Sequence, residues 1–185
     1  MKILSLLLTL LFFQSILVFA QKRANVEPDY LNYKSGMCYG TCPIINSTIE
    51  NDRKVKVDRI IFKKKDEIDT SKSGSFEGKL TDQEWKQLSM FLSSGSLTKN
   101  NFPRKDCCDN PMQTITIKRS GKISQFRSIF PQNKALPFIE FLYQVSLSDN
   151  HKKIAYDESL FDKLEVNYLN PKLHSSSDVQ NNNQE

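Results

Sequence analysis

Two cysteines four residues apart, Cys38 and Cys42, are the feature that most limits the folds open to this chain. They lie in the segment SGMCYGTCPI, with Gly40 between them and Pro43 directly after them. A glycine relaxes the backbone of a short loop, and a proline sets the direction in which the chain leaves it. The segment is therefore typical of a loop that is closed on itself or cross-linked to another part of the fold.

The adjacent Cys107 and Cys108 complete a set of four cysteines. An even number is typical of full disulfide pairing in an exported protein. Either Cys38 pairs with Cys42 and Cys107 with Cys108, or two cross-links join the two segments. A disulfide forms only where the folded chain brings the two Cα atoms close together. The spacing of the cysteines in the sequence does not determine this, so both pairings remain open.

Two other uses of the thiols are alternatives to a structural disulfide. A redox site typically has two residues between its cysteines and a helix N-terminus that stabilises the thiolate, whereas here three residues intervene. A zinc site of four thiolates would also have an unusual spacing, and oxidation would compete with the metal. The histidines, His151 and His174, lie beyond the predicted core. We therefore predict no catalytic, metal-binding or cofactor-binding residue and no cofactor.

The first twenty residues predict a secretory signal peptide. A basic residue precedes an apolar run over residues 3–13, and Val18 and Ala20 are the small residues expected before the cleavage point. A membrane anchor is the alternative, but polar residues interrupt the run before it reaches the length of a span. We predict cleavage after Ala20 and an exported, soluble protein, periplasmic or secreted, with no membrane attachment.

Alternating apolar residues predict strands in YLNYKS, IINSTIE and KVKVDRIIF, which cover residues 30–35, 44–50 and 54–62. In the third strand the alternation changes after Val57, which predicts a β-bulge near Arg59. A short strand is predicted around Phe76 within a polar segment. QTITIKRSGKISQFRS predicts a hairpin that turns at Ser120-Gly121 and places Ile115 opposite Phe126.

Two amphipathic helices are predicted. In LTDQEWKQLSMFL, Thr81 and Glu84 form a capping box and Trp85 begins an apolar stripe that continues through Leu88, Phe91 and Leu92. Trp85 is interpreted as a core residue, with ligand stacking as the alternative. ALPFIEFLYQVSL predicts the second helix; its stripe is formed by Leu136, Ile139 and Tyr143 and is widened by Leu142 and Val145.

The element order β-β-β-α-β-β-α predicts a single α+β domain. We expect a mainly antiparallel sheet of about five strands with two helices packed on one face. The expected organisation is a signal peptide over 1–20, the α+β domain over 21–148 and a C-terminal extension over 149–185. The extension has the pattern of a short helix over 157–165 and a disordered tail.

Charge and modification signals are weak. The net charge of +5 favours solubility and says little about partners, and we expect no nucleic acid. Seven basic residues between Arg53 and Lys65 are interpreted as a solvated strand edge guarded by lysines, with polyanion binding as the alternative. Asn46-Ser47-Thr48 matches a glycosylation acceptor, which has meaning only in an organism that glycosylates such sites.

CYGTCP, GSFEGKLTDQEWKQL and DNPMQTITIKRSGK together resemble a family of exported bacterial proteins known as domain of unknown function 6438. The family is recognised by the pattern C-[FY]-G-x-C-P, and the likeness covers about residues 28–147. The matching positions are Cys38, Tyr39, Gly40, Cys42 and Pro43, followed by Asp109 and Pro111 of a later Asp-x-Pro element. Ile45 stands where many members have an aromatic residue, and Cys107–Cys108 looks like an addition.

The resemblance implies that the motif pairs Cys38 with Cys42, and we predict this local disulfide. The family has no established activity, so two functions remain. The first is a non-enzymatic secreted or periplasmic module whose stapled loop binds a protein or small ligand. The alternative is a thiol-dependent or hydrolytic enzyme that uses the Cys38–Cys42 loop and nearby acids. Free-thiol titration separates them, because only the enzyme needs a reactive thiolate.

Overall fold

A computed structural model describes residues 27–103, 109–155, 160, 163 and 164. The predicted signal peptide, Cys107, Cys108, His174 and the predicted tail lie outside these residues. The strands are β1 (Tyr30–Ser35), β2 (Ile44–Glu50), β3 (Lys54–Ile60), β4 (Phe62–Lys64), β5 (Glu67–Ile68), β6 (Gly74–Lys79), β7 (Gln113–Arg119), β8 (Lys122–Ser128) and β9 (Lys152–Ala155). The helices are α1 (Asp82–Ser93) and α2 (Leu136–Leu147), and Lys99–Asn101 form one turn of 3-10 helix.

A seven-stranded antiparallel sheet with the order β8-β7-β1-β2-β3-β6-β9 forms the centre of the molecule. The α+β class is confirmed, but the prediction of about five strands is wrong. The strand predicted around Phe76 is the full-length β6, and β9 adds an edge beyond the predicted domain. Neither segment has a clear apolar alternation in its sequence. β6 contains two glycines, and all four residues of β9 are exposed. Pairing with neighbouring strands makes these segments extended, and that pairing is not visible in their own pattern.

The main core lies between one face of the sheet and both helices, as predicted. A row of buried side chains crosses five neighbouring strands on this face. The row consists of Ile115, Tyr33, Ser47, Val57 and Phe76. Trp85 and Leu88 of α1 and Phe138 and Leu142 of α2 belong to the same core cluster. Trp85 is 7% exposed, which confirms the interpretation of this residue as a core residue.

The opposite face of the sheet carries a second, smaller cluster. Ile44 and Ile60 are paired across β2 and β3 and are covered by Leu160 and Leu164. The bulge predicted near Arg59 is wrong, because the β2–β3 register is regular through Ile60. The alternation of β3 changes because Val57 faces the main core and Ile60 faces the second cluster. Leu160, Lys163 and Leu164 are helical, within the range in which a short helix is predicted.

Both ends of α1 follow local sequence signals. Thr81 and Glu84 form both hydrogen bonds of the predicted capping box, and Gly95 after α1 has a φ of 71°. In α2, however, Leu136 is 45% exposed, so its predicted place in the apolar stripe is wrong. The buried face of α2 is centred on Phe138. Leu136 lies two residues earlier, about 200° around the helix, and therefore on the opposite side.

Within the described residues no helix has the length and apolar character needed to span a membrane.

Candidate functional site

The CYGTCP motif lies in the loop that joins β1 to β2 at one end of the sheet. Ser35, the last residue of β1, pairs with Ile45 on one side and with Gln113, the first residue of β7, on the other. At the same end, Ile60 finishes β3 beside Ile44. The segment that leads into β7 and the β4–β5 hairpin that follows β3 therefore meet the motif loop.

A disulfide bond joins Cys38 to Cys42, with a Cα–Cα distance of 5.6 Å. The predicted local pairing is confirmed. In this bonded form neither sulfur is a thiolate, which is the species that acts as nucleophile or metal ligand. No group of three or more potential metal-ligating side chains occurs among the residues that the structure describes. The bond closes the motif loop between its two cysteines.

A hydrogen bond connects the two signature elements of the sequence. The backbone N–H of Tyr39 donates to the Asp109 carboxylate, 70 residues further along the chain. Beside it, the N–H of Gly36 donates to the carbonyl of Met112 at 3.0 Å. The Cys38–Cys42 bond closes the motif loop, and the hydrogen bond from Tyr39 holds the loop against the segment before β7. A hydrogen bond to a charged carboxylate is stronger than one between two neutral groups. The sequence identified Tyr39 and Asp109 separately but did not predict their contact.

Tyr39 projects from this braced loop, and 78% of the residue is exposed. The Lys65 ammonium lies 4.7 Å from the centre of the tyrosine ring, within the range of a cation–π interaction. Lys65 occupies the turn between β4 and β5, at the end of the basic segment. The contact therefore adds a residue that the motif alone did not indicate.

A shallow cleft of about 180 Å³ opens between the motif loop and the β4–β5 hairpin. Its lining residues beyond the disulfide and Tyr39 are Met37, Gly40, Phe62, Lys65 and Asp66. Sites for drug-sized ligands usually have volumes of about 300–1,000 Å³. The cleft is therefore large enough for a single side chain or a small group and too small for a large cofactor.

Position 40 does not require glycine for steric reasons in this structure. Its φ is outside the positive range, and an added Cβ would lie 3.8 Å from the Cys38 sulfur, an ordinary contact. The role predicted for Gly40, relaxing the backbone for closure, is therefore not enforced by local geometry. Pro43 leads directly into β2, as predicted.

The strand-edge interpretation of the basic segment from Arg53 to Lys65 is wrong for its larger part, although the exposed Lys63 and Lys64 do lie on an edge, in the two-stranded β4–β5 sheet. Most of it forms β3, which lies between β2 and β6. Arg59 is buried with its Cζ 4.0 Å from the centre of the Phe76 ring, and its Nη1 donates to the Ser146 carbonyl at 2.8 Å. Burial lowers the pKa of the Arg59 guanidinium, and a nearby Asp149 partly opposes this. Arg59 thus stabilises the end of α2 instead of facing a partner.

His151 and Asn46 also lie away from the motif loop. His151 precedes β9 and lies against Gly78, which is toward the opposite end of β6 from the motif. Burial lowers the pKa of its imidazole, and the charge of Arg59 lowers it further. Asn46 is in the middle of the sheet, where its Oδ1 accepts a hydrogen bond of 2.8 Å from the Asn32 side chain. Neither residue contributes to the cleft.

Comparison with known families identifies one match. The family model described as Domain of unknown function (DUF6438) matches residues 29–136. The chain belongs to this family. The matched part of the DUF6438 chain contains the disulfide loop and the β4–β5 hairpin, so both elements that form the cleft are inside the family domain, as is Asp109. The comparison with curated proteins found no match.

Proposed function

We propose that this DUF6438 chain is an exported, non-enzymatic module that binds a protein or small ligand through its disulfide loop. The observation that carries the proposal is the position of Tyr39, a large aromatic side chain presented to solvent on a loop held at three points. Those points are the Cys38–Cys42 bond, the contact with Asp109 and the cation of Lys65.

Physical chemistry favours binding at such a residue. Tyrosine is enriched at interfaces because it supplies a large contact area and a polar tip with few rotatable bonds. A loop that is already ordered loses little conformational entropy when a partner binds. The small cleft beside the ring, lined by Met37 and Phe62, offers an apolar contact next to it.

Export is part of the same proposal. A disulfide persists in the periplasm or outside the cell and is rarely stable in a reducing cytosol. The proposed organisation is a signal peptide over 1–20, the domain over 21–148 and an extension over 149–185. Intact-mass measurement of protein recovered from the periplasm or medium should give a chain that begins at Gln21. A mass that includes residues 1–20 would contradict cleavage.

Site-specific photo-crosslinking tests the binding role. A benzophenone amino acid at position 39 should give an adduct in the producing organism, whereas the same group at position 90 should not. Met90 is the matched control because it is 62% exposed on α1, outside the motif loop. Replacing both Cys38 and Cys42 with serine should reduce the adduct at position 39. Equal labelling at both positions, or none at position 39, would refute the proposal.

Thiol titration distinguishes this function from the thiol-enzyme alternative. The native oxidised protein should show no alkylation of Cys38 or Cys42 near neutral pH, because both sulfurs are bonded. Alkylation of either residue, together with turnover that is lost on alkylation, would favour the enzyme.

A further inference from the structure

The two edges of the main sheet differ in how well they are protected. β9 is four residues long, its register with β6 shifts between Ser75 and Phe76, and Lys153 reaches across to the Thr70 carbonyl. Short strands, irregular register and lysines are the usual devices that prevent pairing at an edge. β8 is seven residues long and pairs with β7 in a regular register from end to end. In the described chain β8 is therefore the edge that best retains the geometry for adding a strand.

The turn before β8 determines which backbone groups face outward. Ser120 and Gly121 have φ values of 49° and 78°, as a type I′ turn requires. In such a turn Arg119 and Lys122 are hydrogen-bonded to each other, and bonded pairs alternate with unbonded pairs along an antiparallel ladder. The N–H and C=O groups that point away from β7 are therefore those of Ile123, Gln125 and Arg127.

No described residue pairs with the outward edge of β8. The four residues from Lys122 to Gln125 and also Arg127 are exposed, and Ile123 is 63% exposed. The Gln125 side chain donates to Thr116 on β7, and the Ser128 hydroxyl donates to the Pro103 carbonyl. Neither contact uses the outward backbone groups.

The charge of this hairpin indicates the chemistry of a partner. Residues 113–128 contain four basic side chains and no acidic one. The basic residues are Lys118, Arg119, Lys122 and Arg127. None of the four belongs to an ion pair with an acid of the described residues. A strand that paired with β8 would therefore lie beside cations that have no acidic partner within the described part of the chain.

We propose that β8 is a docking edge for an extended acidic segment of a partner protein, which adds to the sheet as an eighth strand. The alternating N–H and C=O groups of Ile123, Gln125 and Arg127 match the backbone of a polypeptide, whereas phosphates offer only acceptors. A second copy of this chain would bring an equally basic hairpin to the edge, and like charges in close pairing are destabilising. An acidic strand satisfies both the backbone and the charge.

The probe is a fluorescein-labelled peptide of about eight residues that alternates valine and glutamate. Fluorescence anisotropy measures its binding to the mature protein at low salt. Gln125→Pro removes one outward N–H, and Gln125→Ala is its matched control, because the alanine keeps that N–H. We expect about tenfold weaker binding for Gln125→Pro and about twofold or less for Gln125→Ala. Circular dichroism checks that both variants are folded.

Charge reversal and hydrogen exchange keep the test decisive if Gln125→Pro fails to fold. Lys122→Glu with Arg127→Glu changes only exposed side chains and should weaken peptide binding by about tenfold or more. On binding, the amides of Ile123, Gln125 and Arg127 should gain protection from exchange, while that of Ser124 should not change. An alternating valine–lysine peptide and an acidic peptide with a central proline should bind weakly.

Several results would overturn the proposal. No binding of the acidic peptide at about 1 mM would do so, since that limit corresponds to a negligible affinity for an eight-residue strand. Protection that appears elsewhere in the sheet would also do so. Binding of an oligonucleotide or polyphosphate that displaces the peptide and is indifferent to Gln125→Pro would indicate a general polyanion site. A dimer detected by light scattering and lost in Gln125→Pro would assign the edge to a second copy.

Discussion

Gly78 and His151 occupy neighbouring positions where β6 meets the start of β9, and the imidazole fills the space that a side chain at residue 78 would need. A Cβ at residue 78 would lie 2.2 Å from the His151 Cδ2. Glycine in a strand is otherwise unfavourable, because it loses more conformational entropy on folding than other residues do. The close approach of His151 is therefore the physical reason for glycine at this position.

Gly78→Ala should lower the free energy of unfolding by about 1–3 kcal/mol, the usual range for overpacking. His151→Ala should remove most of that loss, because the added methyl group then has space. Urea denaturation of both single variants and the double variant measures the coupling. Purely additive effects would show that the two residues do not compete for space.

His151 should also make the stability of the fold depend on pH. Its Nδ1 is buried without a hydrogen-bond partner in the described structure, and Arg59 and Glu84 are the charged residues that affect it. Burial and Arg59 lower the pKa of the folded imidazole below its usual 6.5. The unfolded state therefore takes up a proton first, so the stability present above pH 6.5 decreases as the pH falls toward the folded pKa.

The wild-type protein should thus have a lower urea midpoint at mildly acidic pH than at neutral pH, and His151→Gln should reduce this difference. The glutamine cannot titrate, so any pH dependence that remains belongs to other groups. An unchanged pH dependence in His151→Gln would show that His151 does not contribute.

At the scale of elements, Leu160 and Leu164 pack on the face of the sheet opposite the helices. Leu160 and Leu164 pack on Ile44 and Ile60, next to the strand ends that flank the motif loop. Leu164 is 3% exposed, so its side chain is nearly as buried as those of the main core. These two leucines therefore stabilise the strand ends from which the motif loop and the β4–β5 hairpin extend.

Leu164→Ala should reduce the free energy of unfolding by about 2–5 kcal/mol, the range for removing a buried leucine side chain. Ile154→Ala is a suitable control because Ile154 is 55% exposed on β9 and should change stability by less than about 0.5 kcal/mol. Chemical denaturation compares the two. Equal effects would mean that the second cluster is not a cooperative part of the fold.

At the scale of the whole molecule, stability comes from the core between the sheet and the two helices, and the disulfide adds little. Cys38 and Cys42 are separated by 4 positions. Closing so short a loop restricts the unfolded chain by on the order of 2 kcal/mol at most. Replacing both cysteines with serine should therefore leave a folded domain with a stability loss no greater than this, measured by urea denaturation.

The same variant should change the surroundings of Tyr39, which NMR chemical shifts of the loop amides would show. Peptide mapping without reduction should recover Cys38 and Cys42 in one linked pair. A peptide that joins either residue to Cys107 or Cys108 would contradict local pairing. Global unfolding of the double serine variant would show that the bond carries the stability of the whole domain.

Sequence signals that act over a few residues were sufficient to predict part of this structure. The capping box at Thr81, the turn at Ser120-Gly121 and the pairing of Ile115 with Phe126 are set by contacts close in sequence, and all are confirmed. The family resemblance, together with the loop sequence, also led correctly to the Cys38–Cys42 bond. Each of these features depends on local geometry and not on how distant segments pack.

The remaining features depend on pairing between segments far apart in the chain. The exposed β9 has no apolar pattern and is extended because β6 offers it hydrogen bonds. Ile60 breaks the alternation of β3 because Leu160 and Leu164 cover it from the other face. The contact of Tyr39 with Asp109 arises because β1 and β7 are neighbours in the sheet. The sequence by itself thus determined the helices, the hairpin and the stapled loop, whereas only the tertiary structure decided the seven-stranded sheet and the site at its end, because backbone pairing over long separations leaves little trace in local residue patterns.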